Sequence, residues 1–163
     1  MANVGYMTIE GEEQGLISAG CSSEASIGNK CQADHIDQIL VLSLAHHMGN
    51  RENSGHATLD PLVITKYLDK SSPLLAQALN RREPLKCLID FYRSNGIDEE
   101  LFYTISLKGC ILADLTLDMP HAVLQNDGEL QEHLAIRYEE IRWTHHKGST
   151  SGYALWDSDN EIR

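Results

Sequence analysis

The sequence is poor in basic residues, since 13 lysine and arginine side chains stand against 24 aspartate and glutamate side chains. The resulting formal net charge of −11 makes binding to nucleic acid phosphates or to anionic membrane surfaces unfavourable. No basic cluster offsets this charge, and no apolar run reaches the length of a membrane-spanning helix. We therefore expect no nucleic acid partner and no membrane insertion.

The amino terminus lacks the positive patch and following apolar run that define a signal peptide. We therefore expect synthesis in the cytoplasm, and any export would use a route that reads no cleavable leader. The four cysteines (Cys21, Cys31, Cys87 and Cys110) form no C-x-x-C pair, and free thiols are the expected state. Cys87 and Cys110 lie in apolar runs, which predicts that both are small core residues.

Motifs for metal binding and catalysis are also missing. The eight histidines match no H-E-x-x-H pattern. The adjacent pairs His46–His47 and His145–His146 are not expected to chelate one ion, because neighbouring residues of a strand point to opposite faces. Segment 15–20 has one residue too many before its serine to form a nucleophile elbow, and segment 147–150 inverts the order of a phosphate-binding loop. The sequence thus predicts no catalytic residue, no metal and no cofactor.

Short runs with alternating apolar residues fill most of the chain. They predict strands over 4–10, 16–21, 39–46, 57–68, 84–93, 101–107, 111–119, 130–144 and 153–156. We expect a bend or bulge at Gly109, and a second near Glu139–Glu140, where the alternation changes phase. One short helix is predicted over about 73–82, with Ser72 as its cap and Pro73 at its first position. The fold class is mainly β, a two-sheet sandwich or closed barrel forming one domain over 1–163.

Three further segments bear on partner contacts, domain organisation and packing. The long connection at about 46–58 is rich in glycine and asparagine and is of the kind that contacts partners. The acidic tail 157–163 is too short to form a second domain. The aromatic residues near the carboxyl end favour core and cross-strand packing, with a ligand platform or a subunit contact as alternatives; they are Tyr138, Trp143, Tyr153 and Trp156.

Several stretches resemble the haemolysin-coregulated protein (Hcp) family of bacterial type VI secretion systems. They are Lys-Tyr-Leu-Asp-Lys-Ser-Ser-Pro-Leu at 66–74, Arg-Tyr-Glu-Glu-Ile-Arg-Trp-Thr at 137–144 and Gly-Tyr-Ala-Leu-Trp at 152–156. Segments 1–9 and 15–30 are similar to the enterobacterial branch of that family. The resemblance covers nearly the whole chain. It implies a β-barrel of two sheets with a helix on its side, and no enzymatic activity.

The resemblance also implies an assembly. Hexameric rings would stack into the inner tube of the secretion apparatus, carry small effector proteins in the lumen, and lie beneath a VgrG-type spike within the sheath and baseplate components. The protein would leave the bacterial cytoplasm with the tube. In related proteins the connection corresponding to 46–58 joins subunits or rings. The candidate ring contacts are therefore His47, Asn50, Arg51, Glu52 and Asn53, and the candidate barrel or interface aromatics are Tyr138, Trp143, Tyr153 and Trp156.

Two alternative functions remain open from the residues alone. The first is a small β-barrel hydrolase or metal-dependent enzyme that uses His46, His121 or His145. The second is a monomeric binding module whose aromatic platform contains Tyr153 and Trp156.

Overall fold

The computed structural model describes residues 3–156, so the acidic tail 157–163 lies outside the described residues. The described chain forms eleven strands and two α-helices. They are β1 (Asn3–Gly11), β2 (Gly15–Leu16), α1 (Glu24–Ile27), β3 (Ile39–Ala45), β4 (Met48–Asn50), β5 (Ala57–Leu59), β6 (Leu62–Tyr67), α2 (Ser72–Arg81), β7 (Leu85–Ser94), β8 (Glu99–Asp118), β9 (Gln131–Arg137), β10 (Glu140–His145) and β11 (Thr150–Leu155).

The main sheet closes on itself. Strands β8, β7, β1, β3, β6 and β9 pair in that order, and β9 returns to pair with β8. All of these pairings are antiparallel. Strands β10 and β11 extend the sheet from β8, whereas β4 and β5 form a separate two-stranded sheet. The mainly β prediction is confirmed. Of the two architectures that the sequence allowed, a two-sheet sandwich and a closed barrel, the structure has the closed barrel.

Strand β8 belongs to two parts of the sheet because it bends at Gly109. That residue has a φ of +61°, and a Cβ atom there would lie 2.5 Å from Oε2 of Glu139. Residues 103–108 pair with β10, and residues 111–118 pair with β9. The predicted bend is confirmed, although the two predicted strands around it form one continuous strand.

Three predicted strands need correction. The expected strand 130–144 is two strands, because β9 and β10 pair with different halves of the bent β8. The expected strand 57–68 is interrupted at Asp60–Pro61, where β5 ends and β6 begins. The expected strand 16–21 retains only Leu16; the residues that follow turn inward, and Ile17 and Cys21 are buried there.

The predicted helix is confirmed as α2, but its predicted cap is wrong. Ser72 is the first residue of the helix, and its side chain is buried beneath it. The Ser72 hydroxyl accepts hydrogen bonds from the Asp69 amide (3.0 Å) and from Lys66 Nζ (3.2 Å), and it donates to the Glu132 carboxylate. The sequence predicts no helix at α1, which is a single helical turn.

Lys66 is the centre of this buried polar cluster. Its side chain is fully buried, and Nζ lies 2.7 Å from Oε1 of Glu132 and 3.0 Å from Oδ1 of Asp69. Nζ also donates to the carbonyl oxygen of Tyr67 at 2.9 Å. A buried ammonium group is tolerated only when charged and polar partners replace its water shell. The cluster therefore joins β6, β9 and the first turn of α2.

Aliphatic side chains from the barrel strands fill the core, and Leu75 and Ala78 of α2 close it at one side. Cys87 and Cys110 are buried in this core, as predicted. The neighbouring Cys110 thiol, together with burial, raises the pKa of the Cys87 thiol well above its ordinary value. Neither helix within residues 3–156 combines the length and apolarity needed to cross a bilayer.

Candidate contact surfaces

The connection at 46–58 is a β-hairpin and not an irregular loop. Strands β4 and β5 pair from Met48–Leu59 to Asn50–Ala57. His47 stands at the base, where its Nδ1 lies 2.8 Å from Oδ2 of Asp60 and its carbonyl accepts the Asp60 amide. The remaining predicted ring contacts lie exposed at or near the tip; they are Asn50, Arg51, Glu52 and Asn53. The structure thus places all five residues on one extension of the barrel.

A hydrogen-bonded triad fastens this hairpin to the barrel. The Tyr138 hydroxyl donates to the Asp60 carbonyl at 3.0 Å and lies 2.6 Å from Nε2 of His46. Because the hydroxyl proton is directed at the carbonyl, His46 Nε2 is the donor in the second bond. Burial, and then the charge of Asp60, raises the pKa of Tyr138 to about 12, and burial lowers the pKa of His46. The neutral forms of both groups suit this arrangement.

The four candidate aromatics do not form one platform. Tyr138 is buried, and Trp143 and Trp156 pack against the core at its edge. The Trp156 ring meets Tyr138 edge-on, with 5.1 Å between ring centroids. Tyr153 is 63% exposed and lies under the guanidinium of Arg142, whereas Trp156 lies under that of Arg137. The structure therefore favours packing for three rings and leaves Tyr153 as a surface residue.

The histidines proposed for an enzyme have separate structural partners. His46 bonds to Tyr138, as described above. Nδ1 of His121 accepts two backbone amides of its own loop, and Nδ1 of His145 accepts the Gly148 amide at 2.8 Å. No group of three histidine, cysteine or acidic side chains with metal-binding geometry occurs within residues 3–156.

A groove with two arginines lies beside Trp156. It has a volume of about 340 Å³, and its lining residues are Arg82, Gly109, Ile111, Arg137, Tyr138, Glu139 and Trp156. Arg82 follows α2 in the left-handed conformation, with a φ of +52°, so its side chain leaves the helix towards the groove. Within the described part of the chain, no carboxylate lies within 4.0 Å of either guanidinium. Sequence reasoning missed this groove, because its lining residues come from α2, β8 and the β9–β10 junction, which only the fold brings together.

The connection between β8 and β9 displays apolar side chains, which sequence reasoning also missed. Residues 119–130 form a loop, in which Met119, Val123 and Leu124 are 64%, 78% and 80% exposed. The run Ala122-Val123-Leu124, which lies between two predicted strands, was the signal available in the sequence. Large exposed apolar side chains grouped together often mark a contact with another protein.

Comparison with known sequences identifies relatives over nearly the whole chain. A family model described as "Type VI secretion system effector, Hcp" matches residues 6–145. The "Major exported protein" of Pseudomonas aeruginosa is 37% identical over 170 residues, which cover 97% of this chain and 98% of the relative. The "Uncharacterized protein YhhZ" of Escherichia coli K12 is 36% identical over 89% of this chain, which spans only 36% of that protein.

Solved structures share the same fold. A crystal structure described as "Hcp protein" is 32% identical with a TM-score of 0.89, and the match covers 96% of this chain and 99% of the other. The secreted protein Hcp3 from Pseudomonas aeruginosa is 38% identical with a TM-score of 0.84, over 96% of this chain and 100% of the other. The closed barrel and the sequence matches agree, and this chain belongs to the Hcp family of type VI secretion proteins.

Proposed function

We propose that this protein is the structural subunit of a type VI secretion tube. Six copies form a ring, the rings stack, and the lumen carries small effector proteins beneath a VgrG-type spike. The observation that carries the proposal is the match to Hcp proteins over nearly the full length of both chains, at a TM-score of up to 0.89. Export with the tube is part of the same proposal, and the name of the Pseudomonas relative supports it.

The free edges of the fold support assembly. Within residues 3–156, β11 hydrogen-bonds to a neighbouring strand on one side only, and β4 and β5 pair only with each other and not with the strands of the barrel. Such edges offer unpaired backbone groups that another chain can cover. A ring with a closed symmetry covers the same surface on every copy, with no exposed end left over.

The hairpin is suited to reach a neighbouring subunit. Its base is fastened by the Tyr138 triad and by the His47–Asp60 contact, while its tip carries exposed polar and charged groups. A fixed base lowers the entropy cost of binding through the tip. We infer that His47, Asn50, Arg51, Glu52 and Asn53 contribute polar and ionic contacts between subunits or rings.

We propose that the role of the protein is structural and that it has no catalytic activity. The three histidines that an enzyme would use are engaged in side-chain and backbone hydrogen bonds within the fold. In the hairpin the Ser54 hydroxyl lies 3.3 Å from His56 Nδ1, but it donates its proton to the His56 carbonyl at 3.0 Å and so forms a local turn contact. The function therefore rests on surfaces that join protein chains.

Negative-stain electron microscopy with light scattering on the purified protein tests the proposal. We expect annular particles and a mass of about 109 kDa, which corresponds to six copies of 18.2 kDa. A monomer at every concentration tried, or turnover of a small molecule by the pure protein, would contradict the proposed function.

Charge limits how rings stack outside the apparatus. Six copies of −11 give each ring a formal charge of −66, so that like charges oppose stacking. We expect added salt to lengthen the stacks seen by electron microscopy, because it screens this repulsion. Equally weak stacking at every ionic strength would count against this expectation.

A further inference from the structure

We propose that the arginine groove beside Trp156 binds the β8–β9 loop of the next copy in the ring. This inference rests on the proposed function and names the two surfaces that meet. The groove is the set of lining residues given above, centred on Arg82 and Arg137. The loop, taken together with the last two residues of β8, spans segment 117–129, which carries the exposed apolar side chains and three acidic ones. The occupant of the groove is therefore a second copy of this chain.

The loop is held in a defined shape by its own hydrogen bonds. Nδ1 of His121 accepts the amides of Val123 (3.2 Å) and Leu124 (3.1 Å), and the His121 carbonyl accepts the Gln125 amide (2.8 Å). Gly128 packs so closely that an added Cβ would lie 2.7 Å from Pro120 Cγ. Because the backbone is already ordered, little conformational entropy is lost when the loop binds.

The loop is apolar at its tip and acidic at its sides. Segment 117–129 contains Asp118, Asp127 and Glu129 and has no lysine or arginine. Glu129 is paired with Lys30 at 3.0 Å, so that the two aspartates carry the available negative charge. Val123 and Leu124 are among the most exposed large apolar residues of the described chain. This combination fits a site that offers cations beside an apolar surface.

The groove offers that combination. Arg82 and Arg137 supply two positive charges against the single carboxylate of Glu139, in a protein whose formal net charge is −11. Ile111 and the Trp156 ring supply the apolar surface between them. Electrostatic complementarity of this kind selects a partner and its orientation.

The loop cannot reach the groove of its own chain. Both features lie on the β8–β9 ladder, but Ile111 pairs with Arg137 at the groove and Asp118 pairs with Gln131 at the loop. Six residue steps along β9, at about 3.3 Å each, separate these pairs by about 20 Å. The contact must therefore join two copies. Because it uses two different surfaces, it is a head-to-tail contact, and repeated head-to-tail contacts form a ring when the rotation between copies closes.

Charge reversal on each surface tests the contact. The groove variant carries Arg82→Glu and Arg137→Glu, and the loop variant carries Asp118→Lys and Asp127→Lys. We expect each variant alone to associate roughly tenfold or more weakly than the wild type by sedimentation velocity. Mixing the two variants in equal amounts should restore rings that contain both, since each junction then joins opposite charges.

The controls distinguish loss of the proposed contact from a general effect of changed charge and from misfolding. Lys70→Glu and Asp98→Lys change exposed charges elsewhere and should leave ring assembly unchanged. Circular dichroism and thermal unfolding confirm that each variant folds. Because Arg137 also packs on Trp156, Arg82→Glu alone serves if the double variant is unfolded.

Each outcome decides the proposal. Rings that persist in the folded groove variant would overturn it. Two folded variants that stay apart on mixing would also overturn it. In both cases wild-type rings would leave the proposed function intact, whereas a wild-type protein that forms no ring would contradict the proposed function itself.

Discussion

Lys66→Met is the sharpest perturbation that the fold offers, because this lysine is completely buried. Its Nζ holds two carboxylates, with Glu132 at 2.7 Å and Asp69 at 3.0 Å, and their side chains are only 3% and 4% exposed. Methionine has a similar length and shape, so the substitution removes the charge with little change in volume. The buried acids then lose the cation that compensates them.

Loss of the Lys66 ammonium does not affect the two carboxylates equally. Asp69 keeps hydrogen bonds from the Ser71 amide and hydroxyl, whereas Glu132 keeps only the Ser72 hydroxyl as its bond within the cluster. Removal of one partner from a buried ion pair costs about 3–5 kcal/mol. We expect the double variant Lys66→Met, Glu132→Leu to be more stable than Lys66→Met alone, because the uncompensated charge of Glu132 is then gone.

Urea unfolding at one pH and one protein concentration measures these free energies. The concentration must be fixed because a ring binds only the folded chain and so adds to its apparent stability. Lys70→Met is the matched control, since Lys70 is exposed, and it should change stability by less than about 0.5 kcal/mol. A loss below about 1 kcal/mol for Lys66→Met would refute the reasoning, as would additive effects in the double variant.

Three other predictions concern single sites. Gly11→Ala should lower the free energy of unfolding by about 1–3 kcal/mol in urea, because a Cβ there would lie within 3.2 Å of Ile17 Cδ1 and would overlap the buried Glu83 carboxylate, whereas Gly55→Ala has open space and should not. Burial lowers the pKa of His46, so the unfolded chain binds more protons just below pH 6.5; stability should fall as the pH drops through that window, and His46→Gln should flatten the slope in urea titrations at several pH values. A thiol reagent should modify exposed Cys31 in the native protein and the three buried cysteines only after unfolding; rapid native labelling of all four would contradict the fold.

The segment that carried the family resemblance shows how far sequence reasoning reaches. Residues 66–74 predicted a strand followed by a helix, and both are present. The same reasoning assigned Ser72 to a helix cap, which is wrong. Ser72 instead serves Lys66 and Glu132, and Glu132 lies 60 residues away along the chain. No local pattern reveals a partner at that distance.

The β9–β10 junction shows the same limit. The phase change near Glu139–Glu140 was visible in the alternation of apolar residues, and an interruption is present there. The sequence also predicts the bend at Gly109, but it does not show that this bend gives β9 and β10 different pairing partners. The predicted ring contacts fell together on the hairpin, but the sequence did not indicate that β4 and β5 pair.

The sequence by itself determined that this protein is a mainly β domain with one substantial helix, an excess of negative charge and a resemblance to Hcp proteins. These properties depend on composition and on local periodicity, which each short segment carries in its own residues. Only the tertiary structure decided the closure of the barrel, the buried Lys66 cluster, and the separation of the arginine groove from the acidic loop. Each of these depends on which distant strands pair, and strand pairing is selected by the packing of the whole chain.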